Sequence, residues 1–435
     1  MHVAILGSGL LGTTAAWYLN KAGHEVSVID RQPGPGLETS FGNGGQIAVS
    51  HAMPWANPRT PIKLLRWLTR KDAPLRFSPC ADPHQWRWVF EFLRNCTAGR
   101  TRSNIAQLVK LGIYSRACLQ ALRVEAGIQY DSLSRGILHF YTDAQEFEAA
   151  LPSLELMREL GCYQQEVSAE AAERIEPALR SARSRVVGAI YSPHDESGDA
   201  YKFTKQLASQ AAGAGVAFRF GTTILRLVCA DGKITGVQVR GPDGSPSSFS
   251  ADAYVVALGS YSAPLLRSVG IDLPIYPAKG YSATFPVANG AEIPQVSLTD
   301  DEFKLVFSRL GNRLRVAGLV HLGGYDITVD AARCKALTRR TMELFPAVAD
   351  SLHGVKYWAG LRPSTPSNVP IIGGTRLTNL FVNSGHGTLG WTLACGSSQA
   401  LSDLIDGRIP NVDFQFCGLK KMQQFRPSVH SAMRA

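Results

Sequence analysis

A short apolar run, a glycine-rich turn, a helical stretch and a second apolar run open the chain. Val3-Ala4-Ile5-Leu6 has no polar position, the pattern of a strand buried on both faces. Gly7-Ser8-Gly9-Leu10-Leu11-Gly12 follows, then Thr13 to Ala22 with helical spacing and Gly23 placed to close it. Val26-Ser27-Val28-Ile29 repeats the strand signal and ends on Asp30. Arg31 to Gly45 is rich in Gly and Pro and reads as an extended loop. Residues from about 100 to 180 are mostly helical by spacing, with one strand at Gly136 to Tyr141. The pattern then predicts a helix over Tyr201 to Ala214, strands over Ala217 to Val228 and Ile234 to Val239, and a turn at Gly241-Pro242-Asp243-Gly244. Ala253 to Gly259 is another buried strand. From Pro274 to about 330 the period falls to two, as in a mixed or antiparallel sheet, most clearly at Tyr281 to Phe285 and Leu314 to Gly318. Leu380 to Asn383 is a last strand, leading through Ser384-Gly385-His386-Gly387 into a long helix, Thr388 to Ile405, and Lys420 to Ala435 reads as frayed.

The opening unit has the layout of a dinucleotide site. Gly7 makes the tight turn, Gly9 admits a pyrophosphate to the backbone, and Gly12 lets helix and strand pack closely. The helix N-terminus directs free N–H groups at the phosphates. Asp30 lies 18 residues beyond Gly12, where a carboxylate meets ribose hydroxyls. Gly213-Ala214-Gly215 lacks a third glycine and is rejected as a second copy. One copy leaves two options: a nicotinamide dehydrogenase, or a flavoenzyme reduced by a small substrate. The strand ending at Gly259 and the Gly385-His386-Gly387 turn before a long helix favour flavin, because a helix N-terminus stabilises negative charge on a reduced ring.

Composition narrows the class. A chain of 435 residues exceeds one ordinary core and predicts two domains. Hydrophobic content of 45% with 18% charged residues describes a folded globular protein. No apolar run approaches the ~20 residues of a membrane span, and the first strand is not a leader peptide, so a cytoplasmic location is expected. Eight scattered cysteines without a Cys/His cluster predict free thiols and no metal site. The net charge of +10 suits an anionic substrate. Ile62 to Lys71 and His84 to Arg94, with Trp86, Trp88, Phe90 and Phe92, read as core-packing helices. Peripheral contact with the cytoplasmic face of an inner membrane is their alternative. No nucleic-acid module is visible, and the oligomeric state is left open.

The residues then reach a resemblance. Gly7-x-Gly9-x-x-Gly12-x-x-x-Ala16-x-x-Leu19-x-x-x-Gly23-x-x-Val26 resembles the opening of the glycine oxidase and D-amino acid oxidase superfamily. Most of the chain looks like the bacterial D-amino acid dehydrogenases within it. The matching stretches are Leu37 to Gln46, Pro54 to Pro58, Leu93 to Cys96, Leu258 to Ser262, Lys279 to Ser282, Gly360 to Pro363 and Gly385 to Thr392. The resemblance implies an α/β fold: a Rossmann-like FAD-binding domain (1–60, 197–275 and 355–435) interleaved with an α+β substrate domain (61–196 and 276–354) containing a mixed or antiparallel sheet. It implies non-covalent FAD and oxidative deamination of D-amino acids, with hydride passing from the α-carbon to flavin N5. The imino acid hydrolyses to a 2-oxo acid and ammonia, and the electrons go on to a quinone or another respiratory acceptor. An oxygen-using amino acid or secondary amine oxidase of the same fold, and a flavin electron-transfer subunit of a larger dehydrogenase, are the alternatives.

The resemblance also distributes roles. Arg362 is the expected carboxylate clamp, since guanidinium is planar, bidentate and always charged. Tyr281 is a candidate second hydrogen bond to substrate, and His386 a candidate N–H or positive charge beside the flavin C2 carbonyl. Cofactor contacts are expected from Gly7, Gly9, Leu10, Leu11, Gly12, Asp30, Arg31, Ser40, Asn43, Gly44, Gly45, Gln46, Gly259, Gly360, Gly385, His386, Gly387, Thr388 and Leu389. His51 and Phe303 stand where the family often carries Tyr, and Val320-His321 also departs from it, so His51, Phe303 and His321 are the expected pocket residues. No strong general base is evident.

Overall fold

The computed structural model describes residues 1–67, 73–182, 185–287 and 292–418. The part of the basic stretch beyond Trp67 and the segment Lys420 to Ala435 lie outside them.

Two sheets organise the chain. The first has six strands in the order Ile371–Gly374, Leu380–Ser384, Ala253–Val256, His2–Leu6, Glu25–Ile29 and Ala217–Arg219. Its pairs are parallel except the first. Val3, Ile5, Val28 and Val255 pack on one side with Ala15 and Leu19 of the helix Leu10–Lys21 and Leu401 of the helix Gly390–Ile405. Ala4, Leu6 and Val256 pack on the other against Leu227 and Val237 of a three-stranded meander, Thr223 to Phe249. Burial on both faces explains why these strands lack alternation.

The second sheet is mixed. Its main path runs Lys356–Ser364, Tyr276–Pro286, Arg313–Leu322, Leu305–Leu310, Ser297–Asp300, Ile137–Tyr141, Gly188–Ser192 and Gln165–Val167, with Leu75–Phe77 added beside Arg313–Leu322. The strand Lys356–Ser364 thus pairs in this sheet, across the domain boundary expected at 355. The long helix Ala98–Ala126, also expected in the substrate domain, packs Ile105, Leu108 and Leu111 into the core of the first sheet. It crosses the C-terminal helix closely, because a Cβ on Gly396 would stand 2.7 Å from Ser115 Cα.

The glycine turn separates two kinds of requirement. Gly7 sits at φ +109, and a Cβ on Gly12 would lie 1.9 Å from the Gly7 carbonyl oxygen. A Cβ on Gly9 would meet nothing nearer than Ser40 Oγ at 3.7 Å. Protein packing therefore demands Gly7 and Gly12, whereas Gly9 keeps open space for a ligand. Gly12→Ala is expected to lower the melting temperature of cofactor-free protein, through overpacking of about 3 kcal/mol. Gly9→Ala is expected to leave that temperature unchanged and weaken dinucleotide binding. Equal thermal losses in both variants, followed by calorimetry, would contradict this division.

Candidate active site

Two cavities meet between the sheets. The smaller, about 360 Å³, is bordered by Gly7, Gly9, Leu10, Leu11, Asp30, Arg31 and Gly259. The larger, about 830 Å³, is bordered by Gly44, Gln46, His51, Gly360, Arg362, Thr388 and Leu389. Thr39, Asn43 and Gly387 border both, so the two read as one elongated site.

In the smaller cavity the Asp30 carboxylate accepts from Ser8 N at 2.6 Å and Ser8 Oγ at 2.9 Å, and its second oxygen accepts from Gln32 N at 2.8 Å. Asp30 thus braces the turn while bordering the space a ribose would fill. Ser40 Oγ accepts from Leu10 N at 3.1 Å and caps one of the helix's free N–H groups. Arg31 lies over the Tyr261 ring at 4.2 Å and pairs with Glu38 at 2.6 Å, forming a wall. Gly259, at φ +55, would direct a Cβ into empty space.

Sheet register governs the larger cavity. Opposed residues in an antiparallel pair share a face, and here Ala278 faces Arg362, Gly280 faces Gly360 and Ser282 faces Trp358. A Cβ on Gly280 would strike Arg362 Cζ at 2.5 Å, and one on Gly360 would strike Trp358 at 1.9 Å. The two glycines are a floor over which these side chains lie. Arg362 donates from Nη1 to the Leu319 carbonyl at 3.1 Å and from Nη2 to the Gly318 carbonyl at 3.4 Å. A bulge opposite Gly280/Tyr281, with Leu319 at φ +50, brings those carbonyls round. Burial lowers the guanidinium pKa to about 10, still charged at neutral pH. Among the described residues no carboxylate forms an ion pair with it.

Register and packing also bear on three expectations. Tyr281 opposes Ala359 on the other face, where its ring joins Ala283 and Phe285 in the core. The residue still borders the larger cavity, its hydroxyl has no hydrogen-bond partner among the described residues, and burial raises the phenol pKa. His321 opposes Lys279 on that same face and bonds Ser78 Oγ at 2.8 Å, outside the cavity. Phe303 lies under the Arg340 guanidinium at 4.0 Å and packs on the core. Of the three pocket candidates only His51 borders the cavity.

The cofactor loop is held from both sheets. Thr39 Oγ1 at 2.8 Å and Ser260 Oγ at 3.2 Å both donate to the Leu361 carbonyl, next to the clamp. Buried Arg315 donates to the carbonyls of Phe41 at 3.1 Å and Asn43 at 3.0 Å. Asn43 Oδ1 accepts from Gly45 N at 2.8 Å. Gly44 passes so close to the second sheet that a Cβ would lie 2.6 Å from Val306. Gln46 spends its amide on Ser297 Oγ and Thr299 Oγ1, both at 3.1 Å, and thus supports the loop.

At the C-terminal turn Gly385 has φ +85 and Gly387 φ +53, values that favour glycine. A short 3₁₀ turn, Gly387–Leu389, precedes the helix, which starts at Gly390 rather than Thr388. His386 bonds Ser397 Oγ at 2.9 Å through Nε2. Burial lowers its pKa to about 3, so the ring is neutral and the expected positive charge is absent.

Thr39, Trp358 and Arg315 are missing from the sequence expectations, as are His139, Asp301 and Lys304 beside His51. Only the Asp300 to Lys304 stretch gave a signal, and it pointed at Phe303. Among the described residues no cluster suits a metal ion. No described helix is long and apolar enough to cross a membrane.

The glycine cradle, the continuous cavity and the N-terminal helix ends fit an extended dinucleotide bearing a ring, as FAD does. Comparison with known proteins agrees. The family described as FAD dependent oxidoreductase matches residues 2–404. A D-amino acid dehydrogenase of Dechloromonas aromatica is 55% identical over 416 residues, covering 96% of this chain and 99% of the relative. One from Paramagnetospirillum magneticum is 46% identical over 426 residues, covering 98% and 100%. Glycine oxidase from Geobacillus kaustophilus shares the fold at TM-score 0.73 with 23% identity, covering 94% of this chain and 96% of that one. The protein belongs to the FAD-dependent oxidoreductase family, in its amino acid-oxidising branch, with FAD as cofactor.

Proposed function

We propose that this enzyme oxidatively deaminates D-amino acids to 2-oxo acids and ammonia and hands the electrons to a quinone-type acceptor. The observation that carries the reading is Arg362, a charged guanidinium without an acidic partner among the described residues, lying on a glycine floor beside the cofactor loop. Its ligand is a small carboxylate, which a fork of N–H donors grips and orients. When bound, non-covalent FAD supplies the hydride acceptor, at N5. The residues around it set the approach: Gly280 and Gly360 leave room for substrate over the sheet, and Trp358 borders the same space. The D configuration is supported by the printed function of the relatives at 55% and 46% identity.

The acceptor reading draws support from the surface. On the helix Pro83–Asn95, Trp88 and Phe92 are buried, while Trp86, Phe90 and Leu93 are 50%, 60% and 46% exposed along one stripe. The aromatics expected in the core thus divide between core and solvent. Ile62 is exposed on the adjoining helix Thr60–Trp67, and Arg94 lies over Phe90 at 5.7 Å. An apolar stripe flanked by Arg94, and by Arg87 in its pairs with Glu91 and Asp272, suits the surface of a membrane that carries a lipid-soluble acceptor.

Anaerobic addition of D-amino acids is expected to bleach the flavin while L-enantiomers do not, with little peroxide formed in air. Bleaching by no D-amino acid would overturn the reading, and stoichiometric peroxide would favour the oxidase. Arg362→Ala is expected to raise KM by ~10²-fold or more, about 3 kcal/mol of charge-assisted binding, with flavin absorbance retained. An unchanged KM would remove Arg362 from the carboxylate site. Trp86→Ser combined with Phe90→Ser is expected to weaken sedimentation with anionic vesicles several-fold while dye-linked turnover persists; equal sedimentation would argue against the stripe.

A further inference from the structure

Arg362 accounts for the substrate carboxylate and leaves the amine without a partner. This inference rests on the reading above. An amino acid enters as an ammonium ion, whose nitrogen has no lone pair to form C=N as hydride leaves. A proton must therefore depart first, or with the hydride, and it needs a receiving group in the cavity.

His51 borders the cavity, and its Nδ1 is enclosed with no hydrogen-bond partner. Its ring lies 5.4 Å from that of His139, tilted by 40°. His139 is linked at both nitrogens: Nε2 meets Ser50 Oγ at 3.3 Å and Nδ1 meets Asp301 Oδ2 at 3.0 Å. Asp301 Oδ1 in turn accepts from Lys304 Nζ at 2.8 Å, and Lys304 reaches the exposed side. The charged and titratable groups facing His51 are His139, Asp301, Lys304 and Arg362. Behind Ser50, Asp195 holds its backbone N–H at 3.1 Å, and Glu146 faces Lys304.

We propose that His51 receives the substrate amine, and that His139, Asp301 and Lys304 form the route by which the ammonium proton leaves the site. The ammonium N–H bond breaks and the proton passes to the His51 ring, which relays it toward His139 and solvent at Lys304. The amine lone pair then closes the C=N bond as the α-hydrogen departs with its electron pair to FAD. Asp301 is a positioning residue: it fixes the His139 ring and faces the positive charge that passes. Burial, His139, Lys304 and Arg362 lower the His51 pKa to about 4 against the opposing pull of Asp301, so the ring is unprotonated at neutral pH and holds a proton only in passing. Burial would raise the Asp301 carboxyl, but Lys304 and His139 hold it well below its ordinary range, so it stays ionised.

The test uses 2-aminoisobutyrate, which carries an ammonium and a carboxylate but no α-hydrogen. Its binding is read from the flavin spectrum and proton release from a pH indicator. The holoenzyme is expected to release close to one proton per site near neutral pH. His51→Phe is expected to bind the probe more weakly through its carboxylate and, at saturation, to release no proton. In anaerobic flavin reduction by a D-amino acid, His51→Phe should lose rate about tenfold for each pH unit below the substrate's amine pKa, while the unmodified enzyme stays nearly flat to neutral pH. Asp301→Asn should shift that profile and leave probe binding intact. Proton release and a pH profile unaltered in His51→Phe would overturn the inference, as would no release by the unmodified enzyme. Failure of every D-amino acid to reduce the unmodified enzyme would instead overturn the functional reading and this inference with it.

Discussion

A half-buried cation with no acidic partner among the described residues is the constraint around which the site is arranged. Burying Arg362 costs free energy that the Gly318 and Leu319 carbonyls offset only in part. The residual cost appears as a guanidinium pKa lowered to about 10, and binding a carboxylate relieves it. Further cost sits in the bulge, because Leu319 at φ +50 occupies backbone space that a side chain disfavours, typically by ~1–3 kcal/mol. Such strain persists only where the surroundings over-determine it. The pairing of Arg313–Leu322 with Tyr276–Pro286 on one side and Leu305–Leu310 on the other does so here.

The clamp matters only if its distance to the cofactor is fixed, and a few polar contacts fix it. The Leu361 carbonyl receives hydroxyls from Thr39 and Ser260, which come from the two segments bordering the dinucleotide cavity. Arg315 reaches from the second sheet to hold Phe41 and Asn43, and Gln46 reaches the opposite way into Ser297 and Thr299. Thr392 Oγ1 accepts from Ala48 N at 3.0 Å, tying the loop to the C-terminal helix. Those from Ser260 and Ala48 are buried and the others partly so, and losing the partner of a buried group costs about 1–3 kcal/mol. They make the join between the sheets rigid where precision is needed.

Local signals were legible in the sequence; signals that depend on tertiary register were not. The first strand, turn, helix and second strand lie within residues 2 to 29, each defined by its own neighbours, and all appear as read. The later strands at Ala253–Val256, Tyr276–Pro286 and Leu380–Ser384 also appear, because buried runs and alternation are local properties. Arg362 was legible by resemblance. The faces taken by Tyr281 and His321 were not legible, because period-two alternation says that neighbours lie on opposite faces but not which face meets the cofactor. The bulge beside Leu319 compounds this, since it shifts the register between Val316 and His321. His139 and Arg315 were missed because each sits in an apolar strand and gains its role only from partners at least 89 and 272 residues away.

The order of segments in the chain then acquires a physical meaning. Lys356–Ser364 ends the second sheet, and the chain passes directly into Ile371–Gly374 and Leu380–Ser384 of the first. Substrate clamp and cofactor turn are therefore separated by a short segment, and an antiparallel bridge between Ser364 and His386 joins them again in space. Trp88 donates to the Ser364 carbonyl at 2.8 Å, so the helix that bears the exposed aromatic stripe is attached to the same point. Clamp, cofactor turn and surface stripe thus converge on Ser364. The exposed aromatic stripe and the strand that carries Arg362 are thus parts of one hydrogen-bonded unit rather than separate features of the molecule.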